Sequence, residues 1–537
     1  MYMHPLLAMA ALAGPPRDTV PLYTDLGDHH VAITTHVGLT QRYFDQGMRL
    51  LYGFNHGEAI RSFTRAAQLD SSCAMCYWGI AYAYGPHVNA EMDSAAGIAA
   101  YTALRQALSR VRHGSPRERA YIAALAHRYA APPFRPAARA ALDSAYAASM
   151  GDVVRRYPDD LDAATLYAEA LMDKRPWNYW DKKTGEPYPG TSEIVGQLER
   201  VLRSDPRHPG ACHYYIHAVE AVAPEKGVPC AERLAALMPG AGHLVHMPAH
   251  IYIRVGRYAD AIVANERAVH ADQVFIEGQK PQGLYPLAYY PHNHHFMAFA
   301  AMLAGRSALA IEAAKRTAAT TPVAVAKRVP LLEPYLHYTY LTLVTFGRWD
   351  ELLAMPLPPA DLAYSRAMAQ YARGVALAAT RRFAEAQAAL DTLKRIAATA
   401  TRGYASAGWT TPRTNLRIAT HALAGEIAAR RGALDEGIAR FRAAMKIEDD
   451  QVYTEPPDWY YPIRHSLGAV LLRAGRAVEA ERLYREDLKR FPENGWSLLG
   501  LAQALRAQGK SAEAADADAR FARAWAGADV TLTASRF

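Results

Sequence analysis

Apolar residues recur at spacings of three and four along most of the chain, and short runs of turn residues interrupt them. That pattern predicts helices joined by short connections; no strand-like alternation competes with it. The helices pair at a period of about 34 residues, the spacing of antiparallel hairpins stacked in series. The stretch Gly53-Phe54-Asn55-His56-Gly57-Glu58-Ala59-Ile60-Arg61-Ser62-Phe63-Thr64-Arg65-Ala66-Ala67 shows the signal, with small residues at Ala59 and Ala66 around the aromatic Phe63. It returns at Gly256-Arg257-Tyr258-Ala259-Asp260-Ala261, Gly305-Arg306-Ser307, Gly347-Arg348-Trp349, Arg382-Phe383-Ala384, Gly432-Ala433-Leu434 and Gly475-Arg476-Ala477. Pro158, Pro206 and Pro492 close second helices. Ser115-Pro116-Arg117-Glu118 reads as a capping box with proline at the first helical position.

These repeats resemble the tetratricopeptide repeat (TPR), with its small–aromatic–small second helix. The resemblance covers almost the whole chain, with repeats starting near 40, 74, 161, 209, 242, 291, 333, 367, 418, 461 and 495 and one further pair between 74 and 161. It implies an all-α chain: a right-handed α-solenoid of about 12 helix pairs around a concave groove. The expected organisation is an N-terminal arm or signal remnant over 1–38, N-terminal repeats over 39–160, a histidine-rich centre over 161–350 and C-terminal repeats over 351–537. Three stretches break the period, 174–192, 272–291 and 449–462, each rich in Tyr or Trp. They read equally as loops packing their own aromatics and as lids over the groove.

In TPR proteins the first helix of each repeat lines the groove, through repeat positions 2, 5, 9 and 12. His213, His246, His295, His337 and His465 all fall at position 5, far more than a residue type with 21 members in 537 would supply. His217 and His250 both fall at position 9. The motifs His213-Tyr214-Tyr215-Ile216-His217 and His246-Met247-Pro248-Ala249-His250 each put two imidazoles on one helix face, a spacing suited to two ligands of one metal ion. His213, His217, His246 and His250 are therefore the expected metal ligands. His292, His295 and His337 are expected as extra ligands or acid–base groups, with His243 and His294 nearby. Glu169 and Asp173, one turn apart, offer carboxylates to complete or orient the shell. Pro248 either kinks its helix or starts it.

An imidazole set suits copper or zinc, and added carboxylates admit iron or manganese; copper is favoured here. The wider pattern of Tyr43-Phe44-Asp45-Gln46-Gly47, Cys73-Ala74-Met75-Cys76-Tyr77-Trp78-Gly79 and the two H-x3-H motifs resembles a group of large bacterial TPR proteins, often predicted to be exported. That resemblance implies a shared groove and fixes no reaction; at His294 it implies an apolar residue.

Hydrophobic residues make up 51% and charged residues 21% of 537, which excludes a largely disordered chain. A net charge of +8 without a Lys/Arg run gives no footing for nucleic-acid binding. No stretch has the roughly 18–20 apolar residues of a membrane span. Residues 5–14 are apolar and Ala11-Leu12-Ala13 has the form of a signal cleavage site, though no Lys or Arg precedes it. An exported location is expected over a cytoplasmic one. There Cys73 and Cys76 would form a local disulfide; in the cytoplasm they would pack as thiols. Cys212, beside His213, is a candidate soft ligand. Walker, dinucleotide-binding and nucleophile-elbow motifs are all missing.

Three readings follow. The first is a metal-dependent oxidoreductase acting on a small molecule or peptide in the groove, with a zinc hydrolase as its variant. The second is a non-catalytic scaffold that binds a peptide or protein. The third is a metal-trafficking protein.

Overall fold

The computed structural model describes residues 20–133, 135–281, 283, 285–399 and 412–537. Residues 5–14, read above as an export signal, lie outside the described residues. Among the described residues the chain is all α, with isolated bridges and no strand. The helices form two compact units.

The first unit holds the chain up to Ile251 together with Glu266–Tyr290. Its helix pairs are α1 (Gly38–Tyr52) with α2 (His56–Leu69), α3 (Ala74–Ala83) with α4 (Ser94–Ser109), and α5 (Pro116–Leu125) with α6 (Arg139–Arg156). Then come α7 (Leu161–Met172) with α8 (Thr191–Ser204), and α9 (Pro209–Val219) with α10 (Pro224–Leu237). The short α11 (Gly242–His246) and α12 (Pro248–Arg254, counted here through Ile251) follow, then α13 (Tyr258–Gln279, counted here from Glu266) and a π-helical turn, Tyr285–Tyr289. The second unit, Tyr252–Asn265 with Pro291–Phe537, contains α14 (Tyr290–Leu303) and α15 (Ser307–Ala319), then the single turn α16 (Val323–Ala326). After a 3-10 turn at Pro330–Leu336, it continues through α17 (Tyr338–Thr345), α18 (Trp349–Ala354), α19 (Ala363–Ala379) and α20 (Phe383–Thr399). It ends with α21 (Pro412–Arg430), α22 (Leu434–Asp449), α23 (Ile463–Arg473), α24 (Ala477–Arg490), α25 (Gly495–Ala507) and α26 (Ser511–Ala524).

Sequence signals account for these elements. The expected capping box is present: the Ser115 hydroxyl accepts from the Glu118 backbone N–H, and Glu118 accepts from Ser115 N at 2.5 Å. Asn55, Asp93, Asp160 and Asn494 cap α2, α4, α7 and α25 in the same way. The stacking rule also repeats in both units. Phe63 of α2 is fully buried between two glycines: a Cβ at Gly47 would lie 2.4 Å from its ring, and one at Gly79 2.6 Å. Tyr484 of α24 is clasped likewise by Gly468 and Gly500, at 2.3 and 2.2 Å. Each aromatic welds a hairpin to the next first helix, and such burial contributes roughly 1.5–3 kcal/mol. This is the TPR-like α-solenoid expected from the repeats.

Each unit departs from a solenoid whose repeats touch only their neighbours. In the first, α1 packs on α9, with the Tyr52 ring 2.4 Å from where a Cβ at Gly210 would stand. In the second, the Trp496 indole donates to Met302 O at 3.0 Å, joining α25 to α14. The position expected to be concave and open in the first unit is therefore interior. Cys73 and Cys76 are disulfide-bonded at the start of α3. Cys212 and Cys230 are buried free thiols.

Candidate metal centre

α9 carries His213 and His217 on one face, as the spacing requires. Past Val219 the chain ends its helix at Glu220, three residues after His217 and so on the same side. α11 brings His243 and His246. Pro248 cannot continue the helical ladder; the break falls at Met247, and α12 restarts at Pro248 to carry His250. Both readings of Pro248 thus hold in part: the helix breaks there, yet His246 and His250 keep neighbouring positions. These five histidines and Glu220 are each at most 3% exposed.

One set of hydrogen bonds orients the rings. His213 Nδ1 donates to Tyr52 O at 2.6 Å. Glu220 takes His217 Nδ1 on Oε1 at 2.9 Å and His250 Nδ1 on Oε2 at 2.7 Å. With the ring proton on Nδ1, each Nε2 presents a lone pair. The Nε2 atoms of His213 and His217 are buried with no hydrogen-bond partner among the described residues. Donor atoms of His213, His217 and His243 all lie within 4.8 Å of one another. Beside them, His246 Nε2 and His250 Nε2 face each other at 2.9 Å.

The electrostatics suit a cation. Burial, and next the charge of His217, hold His213 well below the usual imidazole range. Burial also lowers His217, against the pull of Glu220. Burial alone would raise Glu220, but the two imidazoles against it keep its carboxyl down at about 2. His213 and His217 are thus held neutral beside an ionised carboxylate.

Aromatic rings enclose it. Phe54 lies tilted at 4.4 Å from His213 and stacks at 5.3 Å on His243. Tyr289, from the second insert, lies 4.7 Å from His243. Trp177, from the first insert, stands edge-on to His217 at 4.9 Å, its indole N–H on Asn89 Oδ1 at 3.0 Å. Phe54 and Trp177 hold positive φ, 54° and 63°, where a bulky side chain is strained. At the matching hairpin turns of other repeats stand Gly305, Gly347, Gly432, Gly475 and Gly509, with φ between 64° and 93°. Phe54 replaces that glycine, and its side chain reaches the histidines.

Of the other sequence candidates, Glu169, His295, His337 and Cys212 lie elsewhere. Glu169 sits in a separate buried network. Tyr82 donates to it at 2.5 Å, and Asp173 close by pairs with Arg128. Burial raises Glu169. The carboxylate that touches the histidines is Glu220, which the sequence reading missed although its i, i+3 spacing from His217 marked it. His292, His295 and His337 belong to the second unit. His292 is half-buried on α14 against Phe296. His295 stacks on Tyr338 at 3.7 Å. His337 is not inside a first helix as expected: Pro330 and Pro334 impose a 3-10 turn, and His337 stands at the start of α17 with Nδ1 3.2 Å from Ser365 Oγ. Cys212 points to Pro206 O and Cys230 instead of the histidines.

A second convergence, His29, Asp162 and His208, has a different character. His208 Nδ1 accepts from Ala211 N at 3.1 Å, so its ring proton sits on Nε2, 3.3 Å from Asp162 Oδ1. That nitrogen has no lone pair to give a metal. His29 Nε2 and the Tyr52 hydroxyl meet the same oxygen, at 3.0 and 2.6 Å.

No family model matches the chain, and no curated protein matches it. Among solved structures it is similar to the human IFIT1 dimer with m7Gppp-AAAA, at 11% identity and TM-score 0.31, over 91% of this chain and 90% of that one. It is also similar to yeast Tom70, at 12% identity and TM-score 0.27, over 91% and 92%. Both likenesses concern the course of the helices. No helix among the described residues is long and apolar enough to cross a membrane.

Proposed function

We propose that the first unit holds a transition-metal centre on His213, His217 and His243, with His246 and His250 as adjoining ligands, and that the protein is a metal-dependent oxidoreductase. One observation carries the reading: two buried imidazole nitrogens, His213 Nε2 and His217 Nε2, present lone pairs with no hydrogen-bond donor among the described residues. A buried polar atom left unmet costs about 1–3 kcal/mol, and a bound cation removes that cost. The Glu220 contacts support it further, since a carboxylate on the far nitrogen of a ligating histidine fixes the ring and raises its basicity. Both Glu220 oxygens serve histidines, so the donor set is imidazole alone. That set suits copper first, then zinc, with iron third. Copper would supply one-electron chemistry for oxidising a small molecule or peptide with O₂; zinc would supply an activated water for hydrolysis. The chain's own part is to hold His213 and His217 neutral and to exclude water with Phe54, Trp177 and Tyr289.

The test is elemental analysis of protein purified without a metal column, beside a His246→Ala/His250→Ala variant. Stoichiometric copper, zinc or iron that falls in the variant supports the centre, and oxygen-consumption and hydrolase assays then separate the two chemistries. Absence of metal from both after reconstitution overturns it.

A further inference from the structure

Within the second unit, the segment after α26 runs along first helices of the repeats, where a solenoid would receive a ligand. Asp529 begins it by accepting from Ser307 N at 2.6 Å and Ala308 N at 2.9 Å at the start of α15. Gln503 of α25 then donates to Thr533 O at 2.8 Å. The Ser535 hydroxyl donates to His465 O on α23 at 2.8 Å and meets the Tyr484 hydroxyl at 2.7 Å. Arg536 forms an ion pair with Glu426 of α21. Arg430, one turn beyond Glu426, donates to Phe537 O at 2.8 Å. The Phe537 ring packs on Trp496 at 5.9 Å and fills the space at Gly347, where a Cβ would lie 2.8 Å from its own Cβ. Val344, Val375, Glu426, His465 and Trp496 line one small cavity with Arg536 and Phe537, and they come from five successive first helices.

These contacts have the form of peptide recognition. Main-chain carbonyls at both ends are held by side chains of the groove, which fixes direction. A buried hydroxyl, a cation on a buried carboxylate, and an aromatic ring in a pocket then follow in consecutive residues. Glu426 is 3% exposed, so a neutral replacement for Arg536 would leave that carboxylate with Arg430 alone. We propose that the inner face of the second unit is a binding site for an extended peptide carrying a serine–arginine–aromatic sequence, and that residues 531–537 occupy it in cis. The proposal is independent of the metal centre, which lies in the other unit.

Cis occupancy sets the expected affinities. A short tether gives an effective concentration of about 1 mM, so a free peptide of equal intrinsic affinity competes poorly until the segment is disabled. The probe is a labelled heptapeptide with the sequence of residues 531–537, titrated by fluorescence anisotropy into the full chain. The full chain carrying Arg536→Glu and Phe537→Ala should bind it at least about 10-fold tighter than the unaltered chain does. A peptide with glutamate for its arginine should lose at least that factor. Equal binding by both chains, with unchanged circular dichroism, overturns the proposal and leaves the segment a structural strut. Should the double variant fail to fold, hydrogen exchange on the unaltered chain decides: excess heptapeptide should speed exchange of the amides of 529–537, and no change overturns the proposal. A concentration-dependent dimer of the unaltered chain, abolished by the double variant, would also overturn it, since the occupant would then be a second copy.

Discussion

Glu220 Oε2 accepts the Nδ1 proton of His250 at 2.7 Å, across thirty residues of sequence. The same carboxylate takes His217 on its other oxygen, so one side chain sets the tautomer of two imidazoles on different helices. It is what makes two H-x3-H motifs a single cluster.

Replacing Glu220 tests that role. Glu220→Gln keeps the volume but turns one oxygen into an N–H donor facing a ring N–H. One histidine must then flip or lose its bond. Metal affinity should fall about 10–100-fold, measured by competition against a chromophoric chelator, while the helical circular dichroism stays unchanged. Affinity within twofold of the unaltered chain would show that the carboxylate does not orient the ligands.

Phe54 sits at a turn where five other repeats use glycine, at φ 54°. Left-handed backbone costs a non-glycine residue about 1–2 kcal/mol, and deleting a buried phenylalanine ring costs about 3–5 kcal/mol. Phe54→Gly should therefore relieve the turn and still destabilise the protein, by about 2 kcal/mol net. It should also open the histidines to water, so a chelator should strip metal faster than from the unaltered protein. Urea unfolding and the stripping rate check the two effects separately. A variant more stable than the parent would show that the ring contributes little packing to the cluster.

The repeat architecture was legible because helix period, small–aromatic–small spacing and caps all point the same way, as Phe63 between Gly47 and Gly79 illustrates. Bringing His213 and His217 beside His246 and His250 was legible too, from equal offsets in consecutive repeats. What was not legible depends on tertiary closure. Nothing local says that α1 returns to α9, so the Tyr52 carbonyl could not be foreseen as the partner of His213. The same closure turns an expected groove into an interior. Glu169 was chosen by repeat position, and the same rule marked Glu220, which stands at position 12 of the repeat starting at 209 and was passed over. His337 was displaced by prolines whose effect on the preceding turn outweighed the repeat register.

Two carboxylates give the stability a pH dependence of definite sign. Burial raises Glu333 and Glu448, each to about 7, from 4.5 in the exposed group. Between these values the folded protein holds protons that the unfolded chain has released. Stability therefore falls as pH rises through this window, because charging these groups is harder when they are buried. The upper bound is roughly 3 kcal/mol for each group. Glu448→Gln should leave stability near that of the parent at pH 5 and raise it at pH 8, by a measurable fraction of that bound. Denaturant midpoints at the two pH values check this, and an equal shift at both would mean the group ionises normally.

Trp177 offers an optical report on the metal. Its ring centre lies 4.9 Å from that of His217, close enough for a paramagnetic ion on that histidine to quench its fluorescence. Copper(II) added to metal-free protein should quench part of the emission at one equivalent, and zinc(II), which is closed-shell, should not. In Trp177→Phe the remaining tryptophans should lose most of that copper-dependent step while copper still binds by elemental analysis. Phenylalanine keeps an aromatic ring against His217 and gives up the indole bond to Asn89, so the site itself should persist. Were the quenching as large in the variant as in the parent, copper would be binding away from His217, and the assignment of His213 and His217 as ligands would fail with it.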